Sequence, residues 1–263
     1  MSSRSVNVGK CKLCHSHGEL QDSHFIPKSA YRCVLRSEGR PPVVVKPTVT
    51  MQTNEQVKDY VLCRQCEQRF NENGERWVME HCYRDGQGFR LKELIEATDP
   101  SMNNGLRVYS AVGIPQIDME KLTYFVASIM WRGSVHDWKS GKDKIRRLYL
   151  GKYTEELRRY LLGEMAFPSN AALWVSIIPE SGLWNTVTAP YGERLNQCWR
   201  YKFPFLGISF MFFLGARIDP IIRRMCAYRS PEKFIFISDE ASNMLIRDFG
   251  KLITKSRQIG SLK

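Results

Sequence analysis

No stretch of this 263-residue chain is apolar for long enough to cross a bilayer. The most apolar run, Phe203 to Ala216, carries Pro204 and Gly207 and falls short of the ~20 residues that a membrane helix needs, so it reads as a buried strand. The opening Met-Ser-Ser-Arg-Ser-Val-Asn has no apolar secretory core, which makes a cytoplasmic protein the expectation. A Gly-rich phosphate loop is also missing, so nucleotide hydrolysis is not expected and any energy-dependent partner, such as an ATPase, would be a separate polypeptide. Ser176 and His136 sit in no recognisable nucleophile context. Without visible internal repeats or low-complexity tracts, a repeat architecture is not expected.

Acidic residues are in short supply. Against 39 Lys and Arg there are 27 Asp and Glu, giving a formal net charge of +12. Such a surface attracts polyanions, because each neutralised phosphate releases condensed counterions. Nucleic acid is therefore the expected partner, and an acidic protein subunit is the alternative. The cations form short clusters, such as Lys142 to Arg147 and Arg223-Arg224, rather than a long basic arm.

Cysteine is present in a telling pattern. Four of the eight cysteines form two pairs, Cys11-x-x-Cys14 and Cys63-x-x-Cys66. Two cysteines three positions apart on a tight turn can reach one metal, and two such pairs close a tetrahedral zinc site. In a chain this long the pattern points to reduced metal binding rather than to a disulfide scaffold. Cys33, Cys82, Cys198 and Cys226 lack paired spacing and read as small hydrophobes. His15, His17 and His24 are not needed as ligands once four thiolates are in place.

The chain divides into three parts. Residues 1–83 hold the metal framework, with a Pro-interrupted insertion from Arg36 to Asp59, in which Val43 to Val45 form at most a short edge strand. A helix is expected over Glu67 to His81, although Gly74 weakens it by about 1 kcal/mol relative to Ala. Turn-rich segments at Asp85 to Gly88 and Asp99 to Gly105 place a linker at 84–104. Within 105–263, Leu122, Phe125, Val126, Ile129 and Met130 mark one buried helix face, and a second helix runs from a capping Thr154 to Leu162. Residues 172–178, 185–189, 197–203, 206–214 and 233–238 read as an antiparallel meander, followed by a helix from Glu240 to Lys255 and a basic tail.

The first 80 or so residues resemble a known family. Cys11-x-x-Cys14, Asp22-Ser-His24-Phe-Ile-Pro-Lys28 and Leu62-Cys63-x-x-Cys66 before a helix are similar to the zinc-stapled HNH, or ββα-metal, endonucleases. The resemblance implies an α+β protein in which the cysteines hold a hairpin against a helix and His24 is the catalytic base at a strand end. It also implies a divalent ion held by an acidic residue or His just before that histidine and by an Asn or His at the helix start. Here Ser23 and Glu67 stand at those places. Glu67 with Asn71, one turn later on the same face, is the candidate set for magnesium or manganese, and Glu75 extends that face. Lys28 and Arg32 are candidates for flanking phosphates. The segment Tyr109 to Ser134 is similar to bacterial proteins that carry such a module, and no activity attaches to it. Arg132 reads as an ion-pair or capping residue.

Two functional expectations follow. One is a metal-dependent endonuclease that hydrolyses DNA, in a defence or mobile-element setting by family-level analogy. The other is a degenerate zinc module that binds nucleic acid or a protein without cutting, because the usual acid at Ser23 is missing.

Overall fold

The computed structural model describes residues 6–34, 43–45, 49–103, 105–141, 143–228, 231–255 and 257–258. Residues 36–42 and 46–48 of the insertion, Lys142, and 256 and 259–263 of the basic tail lie outside them. The chain opens with a hairpin of β1 (Val8–Lys10) and β2 (His17–His24), then the short helix α1 (Lys28–Cys33). In the insertion, β3 (Val43–Val45) and β4 (Val49–Gln52) pair antiparallel. Next, β5 (Lys58–Cys63) joins β2 and completes a three-stranded sheet, ordered β1-β2-β5.

From Arg64 the backbone stays helical to His81 through α2 (Arg64–Phe70), a π-helical segment (Asn71–Glu75) and α3 (Arg76–His81). Residues 84–104 are more structured than a linker. They carry most of a small hairpin of β6 (Tyr83–Arg84) and β7 (Gly88–Phe89), the helix α4 (Arg90–Glu96), and β8 (Ser101–Asn103). Next, β9 (Leu106–Ser110) precedes the long helix α5 (Met119–Val135), whose first turn is capped by the Asp118 carboxylate accepting from the Lys121 N–H at 2.9 Å.

After a two-residue pair of strands, β10 (Lys139–Ser140) and β11 (Asp143–Lys144), comes α6 (Tyr153–Leu162). Thr154 does not cap it. Turn bonds from the Tyr153 and Thr154 amides to the Leu150 and Gly151 carbonyls start the helix earlier, so Thr154 lies inside the first turn. Gly163, at φ 79°, ends α6, and the amides of Gly163 and Glu164 return to the Tyr160 and Arg159 carbonyls.

The remaining elements are β12 (Ala171–Ile177), β13 (Tyr191–Leu195), β14 (Cys198–Phe205), β15 (Ile208–Leu214), α7 (Pro220–Arg224), β16 (Phe234–Ile237), α8 (Asp239–Lys255) and β17 (Arg257–Gln258). The fold is mixed α+β, with a large sheet ordered β13-β14-β15-β12-β16-β9-β8. Its neighbours are antiparallel except β12 and β16, which run parallel, so the expected strands 197–203 and 206–214 pair in sequence as β14 and β15, while the meander fails where β12 inserts and the edge strand β13 was not expected. Residues 185–189 form only one bridge, Val187 to Phe205. The run Phe203 to Ala216 is two buried strands rather than one. They fold back at Leu206 and Gly207, both at positive φ as a two-residue hairpin turn requires.

One cluster of buried side chains runs from Leu13, Phe25 and Phe70 through α5 to Phe205, Phe210 and Ile235. Helix α5 is buried on nearly every side, as a helix apolar all round must be. Toward the sheet, Phe125 packs its ring on Phe205 at 4.9 Å. Toward α2, Trp131 meets Phe70 at 5.9 Å. A smaller cluster of Ala172, Cys198, Phe213, Ile218 and Cys226 forms separately. Among the described residues no helix is long and apolar enough to cross a membrane.

Candidate metal centre and adjoining cleft

The two cysteine pairs meet. Cys11 follows β1, Cys14 sits on the turn before β2, Cys63 ends β5 and Cys66 lies in the first turn of α2. The first turn is tight: His15 adopts a left-handed φ of 63°, its amide donates to the Cys11 carbonyl at 2.9 Å, and the Cys11 amide donates to Ser16. All four sulfurs lie within 4.8 Å of one another, and Cys14 Sγ and Cys63 Sγ are 3.8 Å apart. A Zn–S bond of about 2.3 Å at a tetrahedral angle gives sulfur separations of about 3.8 Å, so the cluster can hold a metal such as zinc. None of the four is paired in a disulfide, and Cys11 and Cys66 are buried. The Cys66 thiol beside Cys11 holds it well below the ordinary thiol range, and Cys66 is pushed up in return. Among the described residues, no other group of three or more His, Cys, Asp or Glu brings its ligand atoms this close.

A β-bulge shapes the approach to His24. Gln21 pairs with Leu62 but Asp22 pairs with Tyr60, so Val61 is the extra residue and Val61 and Leu62 are both buried. The Val61 carbonyl accepts from the Lys12 amide, and the Leu62 amide donates to Ser23 Oγ at 3.2 Å. Ser23 is therefore a buried structural hydroxyl that satisfies the bulged backbone. A longer acidic side chain there would carry a charge into the sheet. Asp22 turns to solvent and pairs with Lys58.

His24 ends β2, half-buried. Its Nε2 lies 2.9 Å from Gln56 Oε1. An amide oxygen only accepts, so Nε2 donates in this bond, and in the neutral ring the lone pair is then on Nδ1. The ring also leans on Tyr31 at 6.1 Å, and Tyr31 Oη accepts from the Val57 amide. Gln56 escaped the sequence reading because it lies at the end of the Pro-interrupted insertion, where no periodicity reveals a neighbour.

His24, Glu67 and Asn71 line one open cleft of about 370 Å³, together with Lys28, Arg64, Gln68, Glu75 and Arg132. Glu67 stands in the first turn of α2, and its Oε1 is buried without a hydrogen-bond partner. Burial raises its pKa, opposed by the Arg132 charge and the Ser23 hydroxyl. Asn71 is exposed one turn on. Lys28 starts α1 and Arg32 follows one turn later, both exposed. Lys28 borders this cleft, whereas Arg32 faces only an adjoining one.

Arg132 is the cleft residue that the sequence underrated. It is an ion-pair residue, as expected, but its partner comes from the first part of the chain. From α5, only 1% exposed, its Nη2 donates to Glu75 Oε1 at 2.6 Å while its guanidinium lies 4.6 Å over the Phe70 ring. Its Nε and Nη1 have no hydrogen-bond partner. Comparison with family models, with curated proteins and with solved structures finds no match to this chain, so the reading of this site rests on its own residues.

Proposed function

We propose that the protein is a metal-dependent endonuclease of the HNH type that hydrolyses DNA phosphodiester bonds beside a structural zinc site. The single observation that carries this reading is the convergence of His24, Glu67 and Asn71 on one open cleft next to the four cysteines. The chain order of hairpin, third strand and helix, with a cysteine pair at each end, supports the resemblance seen in the sequence. In this mechanism Gln56 holds the His24 proton on Nε2, and Nδ1 accepts a proton from water as the water oxygen bonds to phosphorus, the P–O bond to the leaving sugar oxygen breaks, and that oxygen takes a proton from solvent water. Glu67 and Asn71 would hold magnesium or manganese through their side-chain oxygens, and such an ion would supply positive charge beside the scissile phosphate. Lys28 lies beside them for an adjacent phosphate.

A second reading, a module that binds without cutting, is favoured by Ser23, which is committed to the backbone and offers no ligand. Plasmid incubated with the zinc-loaded protein and magnesium or manganese separates the two. The expected result is cleavage that stops on chelation and falls at least about 100-fold in His24→Ala, the usual weight of a general base. Cleavage that survives His24→Ala overturns the assignment of the base. Binding with no cleavage under either metal, at full zinc content, selects the second reading.

A further inference from the structure

The cleft does not stop at Glu75. A second cleft of about 420 Å³ shares Pro27, Lys28, Asn71 and Glu75 with the first and continues past Arg32, Arg76 and Glu80 to Arg84. The residues that the helix contributes, Arg64, Glu67, Gln68, Asn71, Glu75, Arg76, Met79 and Glu80, recur at three-and-four spacing along one face. The opposite wall is His24 and the start of α1.

Unpaired cations gather along this groove. Arg107, Arg158, Arg200 and Lys202, by contrast, are tied to carboxylates. Within 4.0 Å and among the described residues, Lys28, Arg32, Arg64, Arg76 and Arg84 have no such partner. At the His24 end lies Arg132, which lines the first cleft and is buried with two unpartnered guanidinium nitrogens. Against these six cations stand Glu67, Glu75 and Glu80, and Glu75 is bonded to Arg132. A row of unpaired cations with a buried one at its end is a built-in attraction for a chain of phosphates.

We propose that this groove is a track for the sugar–phosphate backbone of a DNA strand, running from His24 to Arg84, with Arg76 and Arg84 contacting phosphates away from the reaction centre. The proposal rests on the endonuclease reading for the identity of its ligand. Its length follows from the helix: the stretch Arg64 to His81 extends about 27 Å at ~1.5 Å per residue, which spans about eight base-pair steps along a duplex axis at ~3.4 Å each. The substrate is then an internal stretch of polynucleotide rather than a mononucleotide or a short end.

The test reads binding apart from cleavage. Fluorescence anisotropy with end-labelled duplexes from about 4 to about 16 base pairs is followed on the full, zinc-loaded chain without magnesium or manganese. Affinity is expected to rise with length to about eight base pairs and then level off. The double variant Arg76→Ala with Arg84→Ala is expected to weaken binding and to lower the log–log salt slope by about 2, roughly one per lost contact. A control double variant, Arg217→Ala with Arg224→Ala, removes the same charge elsewhere and is expected to leave both unchanged. Equal losses in the two double variants, or an unchanged slope in the first, overturn the track. Because no hydrolysis is measured, loss of activity on its own tells against the function of His24, not against this groove.

Discussion

At the scale of single residues, the Arg132–Glu75 pair is the feature with the largest expected effect. A buried ion pair adds little net stability over a hydrophobic pair, but removing one member strands the other charge at a cost of about 3–5 kcal/mol. Arg132→Met alone and Glu75→Gln alone are therefore each expected to lower unfolding free energy by about that amount, and the double variant by clearly less than the sum, in urea titrations. Additive losses would show that the two side chains are not coupled. The four cysteines were legible from sequence because metal-ligand spacing is local, and His24 stood out through its neighbours. The hydrogen bond from His24 to Gln56 was not, since it joins a strand end to a residue late in the insertion, 32 positions on. Ser23 was read only as a missing ligand. Its role in satisfying the Leu62 amide depends on a bulge that no spacing rule reveals.

At the scale of elements, the crossing of the Arg64–His81 helix with α5 turns on Gly74. A Cβ there would lie 2.8 Å from the Phe125 amide nitrogen and 3.1 Å from the Lys121 carbonyl, both backbone atoms that cannot swing aside. Gly74→Ala, which propensity alone predicts to stabilise a helix, is expected to destabilise by about 1–3 kcal/mol through overpacking, read as a lower thermal midpoint. A rise in midpoint would mean that the two helices can separate without penalty. Helices α5 and α8 were readable because their apolar positions repeat over four turns and more. β13 was not: Tyr-Gly-Glu-Arg-Leu is an edge strand, largely exposed, with no hydrophobic face to betray it. The parallel contact of β12 with β16 is equally silent in sequence, because strand period says nothing about which neighbour a strand will find.

At the scale of the whole molecule, the N-terminal sheet and helices share their core with the rest of the chain. Phe70 packs on Tyr124 and Trp131, Phe25 stacks on Trp138 at 5.3 Å, and Arg158 donates to the Leu13 carbonyl beside the cysteines. A fragment of residues 1–83 is thus expected to lack cooperative unfolding even with zinc bound, because it loses the apolar surface that buries those rings. A sharp, two-state thermal transition from that fragment would refute this. The sequence suggested a metal module followed by a separate partner-binding part. The position of α5, between the cleft and the large sheet, was hidden because a helix apolar on all sides does not announce which two layers it will separate. The same arrangement has a consequence for heredity. Since α5 completes the floor of the cleft with Arg132, recombination that carried off the first segment alone would deliver a gene whose product lacks both a core and a charge, so the two stretches are expected to travel and diverge together as one inherited unit.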